Sequence, residues 1–176
     1  TASGIVLHND HVLLVFHKRL QSWVPPGGHV EAHEVPEETC VREILEETGV
    51  AVEIVSVEPA TQASTEPARN ADIEAFFLLQ PAYIQCVTAH EKGGDFYHVD
   101  LAYACLPAGY ENRSDLPPLR TNKEVEDVRW VPLSALDKLP LAKNVSEGVS
   151  LTREALRRVL DGRRGVLTAK EIPTKI

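Results

Sequence analysis

Three glutamates, Glu43, Glu46 and Glu47, stand at offsets of zero, three and four within the stretch "REILEETGV", Arg42 to Val50. On a helix, at about 100° per residue, they share one face, and no Lys or Arg lies among them. Like charges at this spacing repel by roughly 0.2–0.5 kcal/mol per pair, so the arrangement does nothing for an isolated helix. Its chemical use is different. Three carboxylates on one rigid face offer hard oxygen ligands, which select Mg²⁺ or Mn²⁺ over softer metals. Bound cations would offset the repulsion and create local positive charge on an acidic chain, where an anionic substrate can be held.

The helix that presents them is bracketed by its own signals. Pro36 suits a first turn, Glu37 and Glu38 favour the positive end of the helix dipole, and Gly49 sits where a left-handed C-terminal cap belongs. Val41, Ile44, Leu45 and Thr48 fall on the face opposite the three glutamates, which predicts that they are buried. Upstream, "SWVPPGGH" breaks both strand and helix and reads as a loop. Before it, "GIVLHNDHVLLVFH" predicts a tight β-hairpin turning at Asn9 and Asp10. Downstream, "AVEIVSVEPA", "DIEAFFLLQ", "YHVDLAYACL" and "EVEDVRWVPL" read as strands, "SALDKL" as a short helix and "LPAGYENRSDLPPLRTNK" as a long surface loop. "SLTREALRRVLDG" predicts a longer helix from near Ser150 to Gly162, with Leu156, Val159 and Leu160 in the core.

A length of 176 residues suits one domain over residues 1–176, with a loosely held tail over 164–176. The apolar fraction of 43% and charged fraction of 25% are those of an ordinary globular protein. No run of about 18 apolar residues occurs and no secretory signal opens the chain, which points to a cytoplasmic protein. Cys40, Cys86 and Cys105 are odd in number and widely spaced, so they read as reduced packing thiols. A formal net charge of −8 argues against nucleic acid polymers and anionic membranes as partners.

The glutamates complete a longer pattern: Gly28, five residues, Glu34, seven residues, then Arg42-Glu43-Ile44-Leu45-Glu46-Glu47-Thr48-Gly49-Val50. At every position this resembles the signature of the MutT-like Nudix hydrolases, G-x5-E-x7-R-E-U-x-E-E-x-G-U with U aliphatic. The resemblance implies an α/β fold, an α/β/α sandwich with a mixed β-sheet. It implies a Mg²⁺-dependent hydrolase, with Mn²⁺ as a substitute, that cleaves a phosphoanhydride bond in a nucleoside diphosphate linked to another group X. Candidate substrates are a nucleoside triphosphate, a nucleotide sugar or a dinucleotide. By the same resemblance Glu46 and Glu47 are metal ligands, and Glu43 is either a third ligand or the base that activates water. Glu34 pairs with Arg42 to orient the cluster, and the Gly28 carbonyl is a further ligand. The partner implied is a nucleotide-type small molecule, and homodimers are common in such a family. Two other readings stand beside this one: a non-catalytic nucleotide sensor with the same fold, and an acidic helix that binds Ca²⁺ incidentally.

Outside this box the signals are weaker. His17, Lys18 and Arg19 follow the second strand and are read either as phosphate contacts or as a basic surface turn. Trp23 either packs under the loop or stacks on a base. His29 and His33 read as loop or surface residues rather than zinc ligands, since no Cys is near. His98 and Asp100 alternate on a strand whose other face carries Val99 and Leu101, so they line either the cleft or solvent. Glu91 and Asp95, in an expected loop, are candidates for an extra carboxylate, and Glu126 for a cleft contact beside Glu124 and Asp127. Pro67 lies near, but not at, the position where a proline accompanies ADP-ribose hydrolysis in some relatives.

Overall fold

The computed structural model describes residues 1–57, 78–91, 94–123 and 125–161, the side chains of 89–91 aside. The expected hairpin is formed by β1 (Ala2–His8) and β2 (His11–His17). Asn9 and Asp10 turn it at φ 45° and 57°, left-handed values that these two residue types tolerate. The "SWVPPGGH" stretch is not loop throughout: β3 (Ser22–Val24) pairs with β2, and β4 (Gly27–Gly28) pairs with β1.

The box helix, α1 (Pro36–Thr48), starts and stops where its sequence signals stand. The Glu38 carboxylate accepts the Val35 N–H at 3.1 Å. Gly49, at φ 74°, donates its N–H to the Leu45 carbonyl at 2.9 Å and closes the helix. After β5 (Val52–Ile54) come β6 (Tyr83–Glu91) and β7 (Gly94–Pro107), then β8 (Val125–Pro132), a 3₁₀ helix (Leu133–Lys138) and α2 (Val145–Asp161).

Several expectations change here. β6 has no counterpart in the sequence reading, because its polar Gln85 and Thr88 and the flanking Pro81 mask the strand pattern. In "HEKGGDF", His90 and Glu91 of β6 pair with Asp95 and Gly94 of β7, so Asp95 is a strand residue. Of the expected "DIEAFFLLQ" strand, residues 72–77 lie outside the described residues and 78–80 are irregular. The last helix begins at Val145, five residues before Ser150; its expected end at Gly162 and the tail beyond lie outside the described residues.

The strands form one mixed sheet in the order β3-β2-β1-β7-β5, with β4, β6 and β8 added to β1, β7 and β2. β1 and β7 run parallel, and every other pairing is antiparallel. Alternation along the central strands splits their side chains between two layers. Val6, Leu13, Val15, Tyr103 and Cys105 pack with Cys40 and Ile44 of α1. Ile5, Leu7, Val12, Leu14 and Ala104 pack with Val149 and Leu156 of α2. The result is the expected α/β/α sandwich. Leu160 is exposed rather than buried, whereas its neighbour Val159 packs against the core on the α2 side. No helix among the described residues is long and apolar enough to cross a membrane.

Candidate active site

α1 buries a different face from the one its apolar pattern suggests. Leu45 is exposed, whereas Glu47 is buried, with only 6% of its surface accessible. The rotation follows from Glu37, Cys40, Ile44 and Thr48, which form the core stripe at helical spacing and carry Glu47 inward beside them. Burying a carboxylate requires partners, and Glu47 Oε2 accepts the Gly27 N–H at 3.0 Å.

The loop that supplies this N–H is held tightly. Gly27 and Gly28 pair with Ser3 and Ala2 of β1, and the Gly4 N–H donates to the Pro26 carbonyl at 3.0 Å. A Cβ on Gly27 would lie 2.5 Å from the Ala2 carbonyl oxygen. One on Gly28 would fall onto the Glu43 carboxyl group, with Cδ at 2.5 Å. Glycine is needed at Gly27, where the clash is with backbone, whereas a side chain at Gly28 would displace the Glu43 carboxyl group from the loop.

Arg42 organises the remaining carboxylates. Its Nε and Nη2 donate to Glu34 Oε1 and Oε2 at 2.6 and 2.9 Å, a two-point pair. Its Nη1 donates to Glu43 Oε1 at 2.9 Å and to Glu46 Oε2 at 3.3 Å. Thr39 adds a hydroxyl to Glu34 Oε2 at 2.7 Å. The Arg42 pair is the main reason that the Glu34 carboxyl group is pulled down to about 2. One guanidinium against Glu34, Glu43 and Glu46 leaves a formal surplus of two negative charges, before Glu47 is counted. A divalent cation fits that surplus and the all-oxygen donor set. Among the described residues no three such side chains already stand around a single point that could hold an ion. The reason is visible in the contacts: Arg42 draws Glu43 and Glu46 to itself, and Glu47 turns toward Gly27.

Of the residues outside the box, the structure brings His98 to the site. Its ring meets that of His29, the residue after Gly28, edge-on at 5.1 Å. Asp100, expected to share its surroundings, is turned into the sheet, where Thr1, Ser3 and Gln85 donate to it at 3.0, 2.8 and 3.1 Å. His17 and Lys18 are engaged at the β2–β3 turn: the His17 ring accepts the Leu20 N–H, and Lys18 donates to the Lys123 carbonyl. Arg19 and Glu126 are exposed, as are His29 and His33. Trp23 packs, buried edge-on against Phe16 with the Arg129 guanidinium over its ring. Glu124, Pro67 and the side chain of Glu91 lie outside the described residues.

Sequence reasoning missed two participants. Gly27 was read only as a loop former, although it is the donor to Glu47. Glu37 was assigned to the helix dipole, yet it is 2% exposed, and burial raises its carboxyl pKa. The Leu79 N–H donates to Glu37 Oε1, while Glu37 Oε2 and the Tyr103 hydroxyl are buried with no hydrogen-bond partner among the described residues. The spacing of Glu37 to Cys40, Ile44 and Thr48 was the available signal.

Comparison with known proteins agrees with this architecture. The family model described as NUDIX domain matches residues 1–152. A Bacillus subtilis (strain 168) protein named "Putative 8-oxo-dGTP diphosphatase" is 52% identical over 46 residues, 26% of this chain and 31% of that protein. The matched segment therefore spans less than a third of that relative. A hydrolase of the NUDIX family from Clostridium perfringens superposes with a TM-score of 0.59 at 21% identity, over 90% of this chain and 95% of the other. An ADP-ribose pyrophosphatase from Streptococcus suis 89-1591 gives 0.55 at 19% identity, over 89% and 90%. At such identities these two likenesses speak for the fold.

Proposed function

The chain belongs to the NUDIX domain family, and from that premise we propose that it is a divalent-metal-dependent pyrophosphohydrolase. Its substrate is a nucleoside diphosphate linked to a further group X: a nucleoside triphosphate, a nucleotide sugar or a dinucleotide. The observation that carries this reading is the Arg42 fork. It holds Glu34, Glu43 and Glu46 in one group beside Gly28, while the Gly27 N–H holds Glu47 on the same side.

In this reading Glu46 and Glu47, with Glu43 and the Gly28 carbonyl, hold Mg²⁺ or Mn²⁺. The bound ion supplies charge stabilisation at the phosphoryl oxygens and a lower pKa for water. Glu43 or Glu47 accepts the proton of the attacking water. Glu43 and Glu46, which Arg42 now holds, would be the groups that ligate the ion, and the two-point pair of Arg42 to Glu34 would keep the helix face oriented. The compartment is the cytoplasm, a reading supported by three thiols of which none is in a disulfide.

The test is phosphate release from a panel of substrates with Mg²⁺ or EDTA, developed with added pyrophosphatase or phosphatase. The names of the relatives put 8-oxo-dGTP and ADP-ribose first on that panel. Metal-dependent turnover of any member is expected. Nucleotide binding with no turnover across the panel would establish the sensor instead.

A further inference from the structure

One face of β7 carries Phe96, His98 and Asp100 in alternation, with Tyr97 and Val99 on the other. Register with β6 adds Val87, opposite His98, and Gln85, opposite Asp100, to the first of these faces. Its inner end is closed, because Asp100 is buried and accepts hydrogen bonds from Thr1, Ser3 and Gln85. Its middle meets the box: the His98 ring stands edge-on to that of His29, the residue after Gly28, with centres 5.1 Å apart. Its outer part is bare, with Phe96 49% and Val87 42% exposed. Scattered apolar residues on a surface are ordinary, but these two continue a row that begins at the box.

We propose that Phe96 is the stacking platform for the base of the nucleotide whose phosphates the box holds. The proposal rests on the reading of the box as a site for a nucleoside diphosphate, and adds where the base lies and how it is recognised. Phe96 stands two residues beyond His98, about 7 Å further along the strand, which is one sugar's width past the ring that meets His29. A nucleotide with its phosphates beside Gly28 and Glu43 therefore runs its ribose past His98 and lays its base on Phe96. Val87, diagonal to Phe96 across the β6–β7 pair, flanks the ring on the same face. Tyr97, the neighbouring aromatic residue, points to the opposite face and is out of line with His98. The side chains of Phe96 and Val87 have neither donors nor acceptors, so recognition here uses the π-face that every base presents rather than hydrogen bonds to one base's edge. The subsite distinguishes a nucleotide from a base-free diphosphate without choosing a single base.

The test is calorimetric titration of the intact chain, with Mg²⁺ present, against two uncleavable probes: α,β-methylene-ADP and its base-free counterpart, methylenediphosphonate. Phe96→Ala is expected to weaken α,β-methylene-ADP by about tenfold and to leave methylenediphosphonate unchanged. Phe96→Tyr, which keeps an aromatic face, is expected to bind both as the wild type does, and Tyr97→Ala to change neither. A Phe96→Ala protein that binds α,β-methylene-ADP like the wild type, or that loses both probes alike, would overturn the proposal and leave the reading of the box standing. Wild-type protein that binds neither probe would overturn that reading and the proposal with it. A nuclear Overhauser effect between an adenine ring proton and the Phe96 ring is expected in the wild-type complex, whether or not the variants fold, and its absence would equally overturn the proposal.

Discussion

The two helices lie on opposite faces of one sheet and use it differently. α2 buries Val145, Gly148, Val149, Thr152 and Leu156, and most of its exposed charges find single partners, Glu154 with Arg158 and Arg157 with Asp161 along the helix and Arg153 with Asp10. α1 buries Glu37, Thr39, Glu47 and Thr48 beside Cys40 and Ile44, and sets one guanidinium against three carboxylates. Pairing every charge at the surface is the cheaper arrangement for stability alone. Keeping carboxylates half-buried, crowded and close to backbone costs stability, which supports the proposal that those groups hold a ligand. In the proposed reading, the contrast separates a helix that packs from one that holds the metal.

Substitutions can break that contrast. Glu47→Gln retains one amide oxygen that can accept from the Gly27 N–H but loses the charge, and turnover is expected to fall by about 10²- to 10³-fold with an unchanged circular dichroism spectrum. A folded Glu47→Gln protein with normal kcat would remove the distinction. Leu156→Ala is the counterpart on α2. It should cost about 2–5 kcal/mol in chemical denaturation and leave kcat of the folded fraction unchanged.

Glu34→Gln sharpens the comparison through pH. Because Arg42 holds Glu34 near 2, below its ordinary 4.5, the pair stabilises the fold fully above about 4.5, and this is lost as pH falls toward 2. The variant should lose about 1 kcal/mol at neutral pH, a value reduced by partial solvent screening, and show a flatter acid limb in its unfolding midpoint. Glu37 has the opposite sign. Its raised pKa means stability is lost as pH rises past the ordinary value, so Glu37→Gln is expected to raise Tm at neutral pH and leave it nearly unchanged in acid. The smallest effect belongs to α2: Arg158→Ala should change stability by about 0.2–0.5 kcal/mol, at the edge of calorimetric detection.

Several features were legible in the sequence because their causes are local. Pro36 and Gly49 bound α1, Asn9 and Asp10 turn the first hairpin, and the spacing from Gly28 to Val50 determines which groups can meet across one helix and the loop before it. Those relations depend on backbone geometry over a few residues, and the chain carries them wherever it folds. The rest was decided by contacts between distant segments. Which face of α1 is inside depended on Glu37, Cys40, Ile44 and Thr48 finding β1 and β7, and that turned Glu47 inward and Leu45 out. Alternation in "YHVDLAY" placed His98 and Asp100 on one face, but only the sheet could send Asp100 to Ser3 and His98 to His29. A period of two or of 3.6 states which residues share a face, whereas what that face meets is a property of the assembled layers.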